Sequence, residues 1–152
     1  MSIPIETNLT SYTGSLDAYT FEASTPGPQY PPSNTIRTDQ DWGVTVKWKM
    51  SGALTAWLNA NFQIRVFLER MGPGADIALP MVTVNTLSTP LLGFPASPHR
   101  EYAENVNVAA GAIGEGVYRV VVVLHLFDNG LGNPTPIAGF VDCGLIYVFR
   151  PM

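Results

Sequence analysis

Gly116-Val117-Tyr118-Arg119-Val120-Val121-Val122-Val123-Leu124-His125-Leu126-Phe127 decides the fold class. The stretch is nearly continuous apolar sequence dominated by β-branched valine, whose stiff side chains suit a pleated, packed surface. A run of this kind reads as a strand buried on both faces, at the centre of a sheet that something covers. Two residues interrupt its apolar surface, Arg119 and His125. They share parity, so they lie on one face. That face is therefore the less buried one, and a candidate subunit contact. The glycine-rich crossing from Ala109 to Gly116 leads into the run, and Asp128-Asn129-Gly130-Leu131-Gly132-Asn133-Pro134 is a strong turn after it. The apolar stretch from Gly139 to Phe149 is its expected partner strand.

Working outward, the same period of two recurs. Trp42, Val44, Val46, Trp48 and Met50 occupy one parity, and Gly43, Thr45, Lys47 and Lys49 the other, which is a strand with one dry and one wet face. Phe62, Ile64, Val66 and Leu68 repeat the pattern, until Met71-Gly72-Pro73-Gly74 stops it. Weaker strand signals cover Leu16 to Ala23, Met81 to Val84 and Asn105 to Val108. Leu54, Trp57 and Leu58 fit a helical turn and a strand start equally. The proline-rich stretches Thr25 to Asn34 and Thr89 to Arg100 read as loops, because proline cannot donate to a ladder. Residues 1–15 are polar, and read as loose or as lying along an edge. No long helix, internal repeat or domain boundary is evident. The expectation is one domain over residues 1–152, an all-β, two-sheet antiparallel β-sandwich of about seven strands.

Trp48 on an early alternating strand, followed late in the chain by the Gly116-x-Tyr118 entry to a strand, resembles immunoglobulin-like and fibronectin-type sandwiches. The resemblance covers Asp41 to Phe149 in outline. It implies that Tyr118 anchors the corner between two strands, and it lacks the paired cysteines of true immunoglobulin domains. Fold-level likeness of this kind carries no function.

Composition narrows the function class. Of 152 residues, 46% are hydrophobic and only 13% are charged, about half the usual fraction. Much of the surface must then be uncharged, which favours coverage by a partner or by a second copy. Eight Lys and Arg are scattered along a chain of net charge −4, without a basic patch, which argues against nucleic acid. No apolar run approaches the ~20 residues of a membrane span, so no membrane insertion is expected. The start Met1-Ser2-Ile3-Pro4-Ile5-Glu6-Thr7-Asn8 has no signal-peptide pattern, and the single Cys143 excludes an internal disulfide. Both point to the cytoplasm. In that setting Asn8-Leu9-Thr10 is a chance glycosylation sequon.

Chemistry-bearing constellations are sparse. His125 lies inside the apolar run and reads as a hydrogen-bonded core or interface residue, and His99 reads as a solvated loop residue. Two histidines without metal spacing and one cysteine cannot complete a zinc site, so no metal is expected. Cys143 beside Asp142 reads as a structural thiol. Asp39 and Asp41 project to the same side of an extended segment and read as a solvated rim. Asp128-Asn129-Gly130 lacks the further carboxylates of a calcium loop. No nucleophile elbow or phosphate-cradling loop occurs, so no enzyme and no cofactor are expected. Aromatic residues give the strongest remaining signal. Trp42 and Trp48 share a parity with core valines. Tyr30, Trp57 and Phe94 fall in loops, where they suit a partner or ligand surface.

These readings lead to a non-enzymatic structural or protein-interaction domain, self-associating as a homodimer or larger assembly. The alternative is a module binding carbohydrate or a small apolar ligand through its loop aromatics. The candidate surface residues are Tyr30, Trp57, Phe94, His99, Arg119 and His125.

Overall fold

The computed structural model describes residues 2–5, 7, 11–22 and 34–151. Their strands, in order, are β1 (Ile3–Ile5), β2 (Thr13–Glu22), β3 (Thr35–Arg37), β4 (Trp42–Ser51), β5 (Ala60–Met71), β6 (Ile77–Ala78), β7 (Val82–Asn85), β8 (His99–Val108), β9 (Gly116–Asp128) and β10 (Pro134–Phe149). They form an all-β sandwich. One sheet has the order β1-β2-β4-β8, and the other β3-β10-β9-β5-β6, with β7 also on β5.

Period-two sequence explains the layers. Leu16, Trp48 and Tyr102 sit side by side in register, as do Val66, Val122 and Val141, and all six are buried. Each strand turns one parity inward, and the two inner faces make one core. At Gly43 the outer face of β4 is also covered. A Cβ there would stand 2.8 Å from the Phe21 ring and 2.6 Å from the Val106 carbonyl, so only glycine fits beneath that ring.

Three expectations are corrected, and one choice between alternatives is resolved. The described residues form ten strands rather than about seven, because β1, β3 and β6 have only two or three residues each. Such pieces are too short to show a period. The sandwich is not wholly antiparallel, since β3 runs parallel to the end of β10. Of the two readings of the N-terminal residues, the described ones take the edge: β1 pairs with β2 as an edge strand, and Ile5 and Tyr12 are buried in the core. Finally, β9 is not buried on both faces. Tyr118, Val120, Val122, Leu124 and Leu126 are buried, whereas the other parity is exposed at Arg119, half-buried at Val117, Val123, His125 and Phe127, and buried only at Val121. Its position between β5 and β10 shields the outer valines laterally, with no third layer among the described residues.

Tyr118 holds one end of the sandwich. Its hydroxyl donates to the Gly114 carbonyl at 3.0 Å and accepts from Arg70 Nη1 at 3.0 Å, while the Arg70 guanidinium lies 5.5 Å from the ring centre. Arg70 Nη2 also bonds the Glu115 carbonyl, so the turn before β9 is fastened to β5. Tyr118→Phe removes the hydroxyl and leaves two polar groups without it. Urea unfolding should show a loss of about 1 kcal/mol or more. An unchanged midpoint would show that the hydroxyl does not hold this corner.

Candidate functional site

The register gathers several loops at one end of the sandwich. The β4–β5, β7–β8 and β9–β10 connections all lie there, because Ser51 pairs with His99, Ala60 with Asp128 and Asn61 with Asn85. Their bases are fixed from within. Arg100, buried on β8, donates from Nε to the Thr55 carbonyl at 2.8 Å and from Nη1 to the Thr89 carbonyl. Tyr102 bonds the Thr86 carbonyl, and the Thr86 hydroxyl bonds the Leu58 carbonyl at 2.6 Å. Charge on Arg100 is thus spent on loop carbonyls, and the loops stand on a rigid floor.

Their tips are apolar and exposed. The β4–β5 connection resolves the sequence ambiguity as a single 3-10 turn, Ala53–Ala56, and Trp57 at its end is 75% exposed. Phe94 is 62% exposed and Leu131, in the β9–β10 turn, 87%. A pocket of about 290 Å³ lies at the same end, lined by Leu54, Leu58, Leu126 and Ile137 among others, with Trp57 between its first two lining residues in the chain. A second groove, about 550 Å³, lies between the 3-10 turn and Pro95 to Pro98, and includes Lys49 and His99. His99 is not a loop residue. It opens β8, pairs with Leu92 and engages the Ser97 carbonyl through Nδ1 at 2.9 Å.

Arg119 and His125 lie elsewhere, on the outer face of the six-stranded sheet. Arg119 Nε stands 3.6 Å from Asp142, and His125 Nε2 lies 2.7 Å from the Thr135 carbonyl with its ring against Phe127. Tyr30 falls outside the described residues, as do residues 25–33 of the proline-rich stretch and Asn8-Leu9-Thr10. Trp57, Phe94 and His99 therefore share the loop end, and Arg119 and His125 share the sheet face.

That face holds residues that the sequence reading left unremarked. Phe140, Leu145 and Tyr147 of β10 point outward, 55%, 50% and 60% exposed, beside Val123, Arg119 and Val117 in register, and Met71 continues the Tyr147 row on β5. The signal was present as apolar residues on both parities of Gly139 to Phe149. A bulge at Cys143, with Gly144 at φ +86°, shifts that parity midway and hides it.

The carboxylates are committed to structure. Asp39 pairs with Arg37 at 2.7 Å, and that hydrogen bond lowers its pKa. Asp41 accepts from the Ala110 amide at 2.7 Å. One oxygen of Asp128 accepts the amides of Gly130, Leu131 and Gly132, which shapes the β9–β10 turn. Among the described residues no three His, Cys, Asp or Glu groups cluster as metal ligands would. No helix among them is long and apolar enough to cross a membrane. Neither a protein-family model nor a curated protein matches this chain.

Two predictions follow from this geometry. Trp42 and Trp48 are buried, so Trp57 should be the acrylamide-quenchable tryptophan, and Trp57→Phe should abolish quenching while changing stability by less than about 0.5 kcal/mol. Quenching that survives the substitution would contradict the exposure. The second concerns alkaline pH. Burial first, and then the Asp142 and Asp17 carboxylates, push the Cys143 thiol up to about 12, and burial likewise raises Tyr102 to about 12 and raises Tyr12 further. The fold favours the protonated forms. Their contribution is complete below the ordinary values of 9.0 and 10.0 and drains as pH rises through the raised ones. Cys143 should ignore a thiol reagent at pH 8 until urea unfolds the chain, and stability should fall above about pH 9. Rapid native labelling would overturn this.

Proposed function

We propose that this chain is a non-enzymatic sandwich that acts through contact with other protein surfaces. One observation carries the reading: Phe140, Leu145, Tyr147 and Met71 stand exposed around half-buried valines on one sheet face, with no layer of the described residues over them. Contiguous apolar surface of this kind marks an interaction site. The strand order β2-β4-β8 against β10-β9-β5, together with the backward bond of Tyr118, supports an immunoglobulin-like reading of the sandwich. The free thiol of Cys143, half-buried on β10, supports a reducing, cytoplasmic setting.

A test is to place a photo-cross-linking phenylalanine at Phe140, and separately at Lys47 on the outer face of the other sheet, in cells that produce the protein. Protein adducts should form at position 140 and not at position 47. Equal adducts at both positions, or none at 140, would overturn the reading.

The loop end supports a second reading, a module for a small apolar ligand or a carbohydrate. The observation behind it is the 290 Å³ apolar pocket beside exposed Trp57, with its loop bases held by Arg100 and Thr86. A glycan or small apolar library that leaves Trp57 fluorescence unchanged throughout would remove this reading.

A further inference from the structure

The exposed face of the six-stranded sheet has an internal symmetry. Its central row, in register, is Phe67 on β5, Val121 on β9 and Asp142 on β10. One step toward one end lies the row Glu69, Arg119, Leu145, and one step toward the other lies Arg65, Val123, Phe140. On β5 the two steps carry opposite charges. On β10 they carry two exposed apolar side chains, because the Cys143 bulge adds a residue between Asp142 and Leu145 and keeps Leu145 pointing outward.

From this arrangement, the geometry points to a second copy of this chain as the occupant of the face, docked about a two-fold axis that runs along the row Phe67-Val121-Asp142. The proposal rests on the contact reading above and names its partner. A two-fold along that row turns one end of each strand toward the other. It sets Glu69 against Arg65 of the second copy, and Leu145 against Phe140, each twice. It also sets Val121 on Val121, Phe67 on Phe67, and the large Tyr147 against the small Ala138. An isologous interface requires this self-complementarity of one patch. Packed sheets stand roughly 10 Å apart, a gap that an arginine and a glutamate side chain span together. Within one chain the two charges do not meet, since four residues along a strand separate them by roughly 13 Å. Asp142, which falls on the axis opposite its own copy, is neutralised in its own chain by Arg119 at 3.6 Å. The two-fold thus matches Glu69 with Arg65, while Arg119, which it sets against Val123 of the second copy, is paired with Asp142 of its own chain.

The test is a charge swap read by sedimentation velocity over a concentration series of the full chain. Wild type should show a monomer–dimer equilibrium. Glu69→Arg and Arg65→Glu should each weaken dimerisation about tenfold or more, because each places two like-charge contacts in the interface. The double variant Glu69→Arg/Arg65→Glu should restore it to within about threefold, since the pairing is rebuilt with signs exchanged. Thermal melting confirms that all variants fold. A wild type that stays monomeric at high concentration overturns the second copy as occupant, while adducts to another protein at position 140 would leave the contact reading standing. Dimers indifferent to all three variants overturn this face as the interface. Single variants that weaken the dimer without rescue in the double overturn the two-fold.

Discussion

Phe62 meets Trp48 and Tyr102 where the two sheets close on each other, and the remainder of the structure depends on that contact. Trp48 and Tyr102 are opposite one another in register on β4 and β8, stacked at 5.1 Å and 12°. Phe62 reaches across from β5 and sets its ring edge-on to both, at 5.4 and 5.3 Å. Offset and edge-on pairs of this sort each contribute about 0.5–1.5 kcal/mol beyond area burial. The cluster also fixes geometry. Through the Tyr102 hydroxyl it holds the Thr86 carbonyl, and Thr86 holds Leu58 and the Ala60 amide. The core that joins the sheets therefore sets where the exposed loops begin.

How far this was legible in the sequence depends on what each residue pattern reports. Alternation in Trp42 to Met50 and Phe62 to Leu68 gave the inner faces, because a half-buried strand must sort its side chains by parity. The Gly116-x-Tyr118 signal marked a corner that the hydroxyl of Tyr118 occupies. β8 was half hidden. Its first half carries His99, Arg100 and Glu101, and the proline-rich stretch before it reads as a loop that runs through Arg100, whereas Arg100 lies in β8 and is solvated inside by backbone carbonyls. Continuous valine in β9 implied cover on both sides. Hydrophobicity reports affinity for a dry surface, not the presence of one, and neighbouring strands shield the outer valines only in part.

The two candidate surfaces differ in kind. At the loop end, a hydrogen-bonded base carries isolated apolar tips and a small apolar pocket, which suits a compact ligand. The sheet face sets aromatic and aliphatic side chains among Arg65, Glu69, Arg119 and Asp142. These four charges sum to zero. Apolar area with a balanced set of charges suits another folded surface, and the proposed occupant is a second copy. Low overall charge belongs to the same account, since a chain with 13% charged residues offers little electrostatic repulsion against association. The sequence pointed to Arg119 and His125 as marks of the less buried face. They do lie on it, but the residues that fill it are Phe140, Leu145 and Tyr147, and the bulge at Cys143 puts Leu145 and Tyr147 on the opposite sequence parity from Phe140.

Hydroxyl-radical footprinting of the full chain at low and high protein concentration tests the central claim most directly. Met71, Phe140, Leu145 and Tyr147 should lose reactivity together as concentration rises, while Trp57 and Leu131 stay open. Protection confined to the loop end, or reactivity on the sheet face that does not change with concentration, would contradict the account.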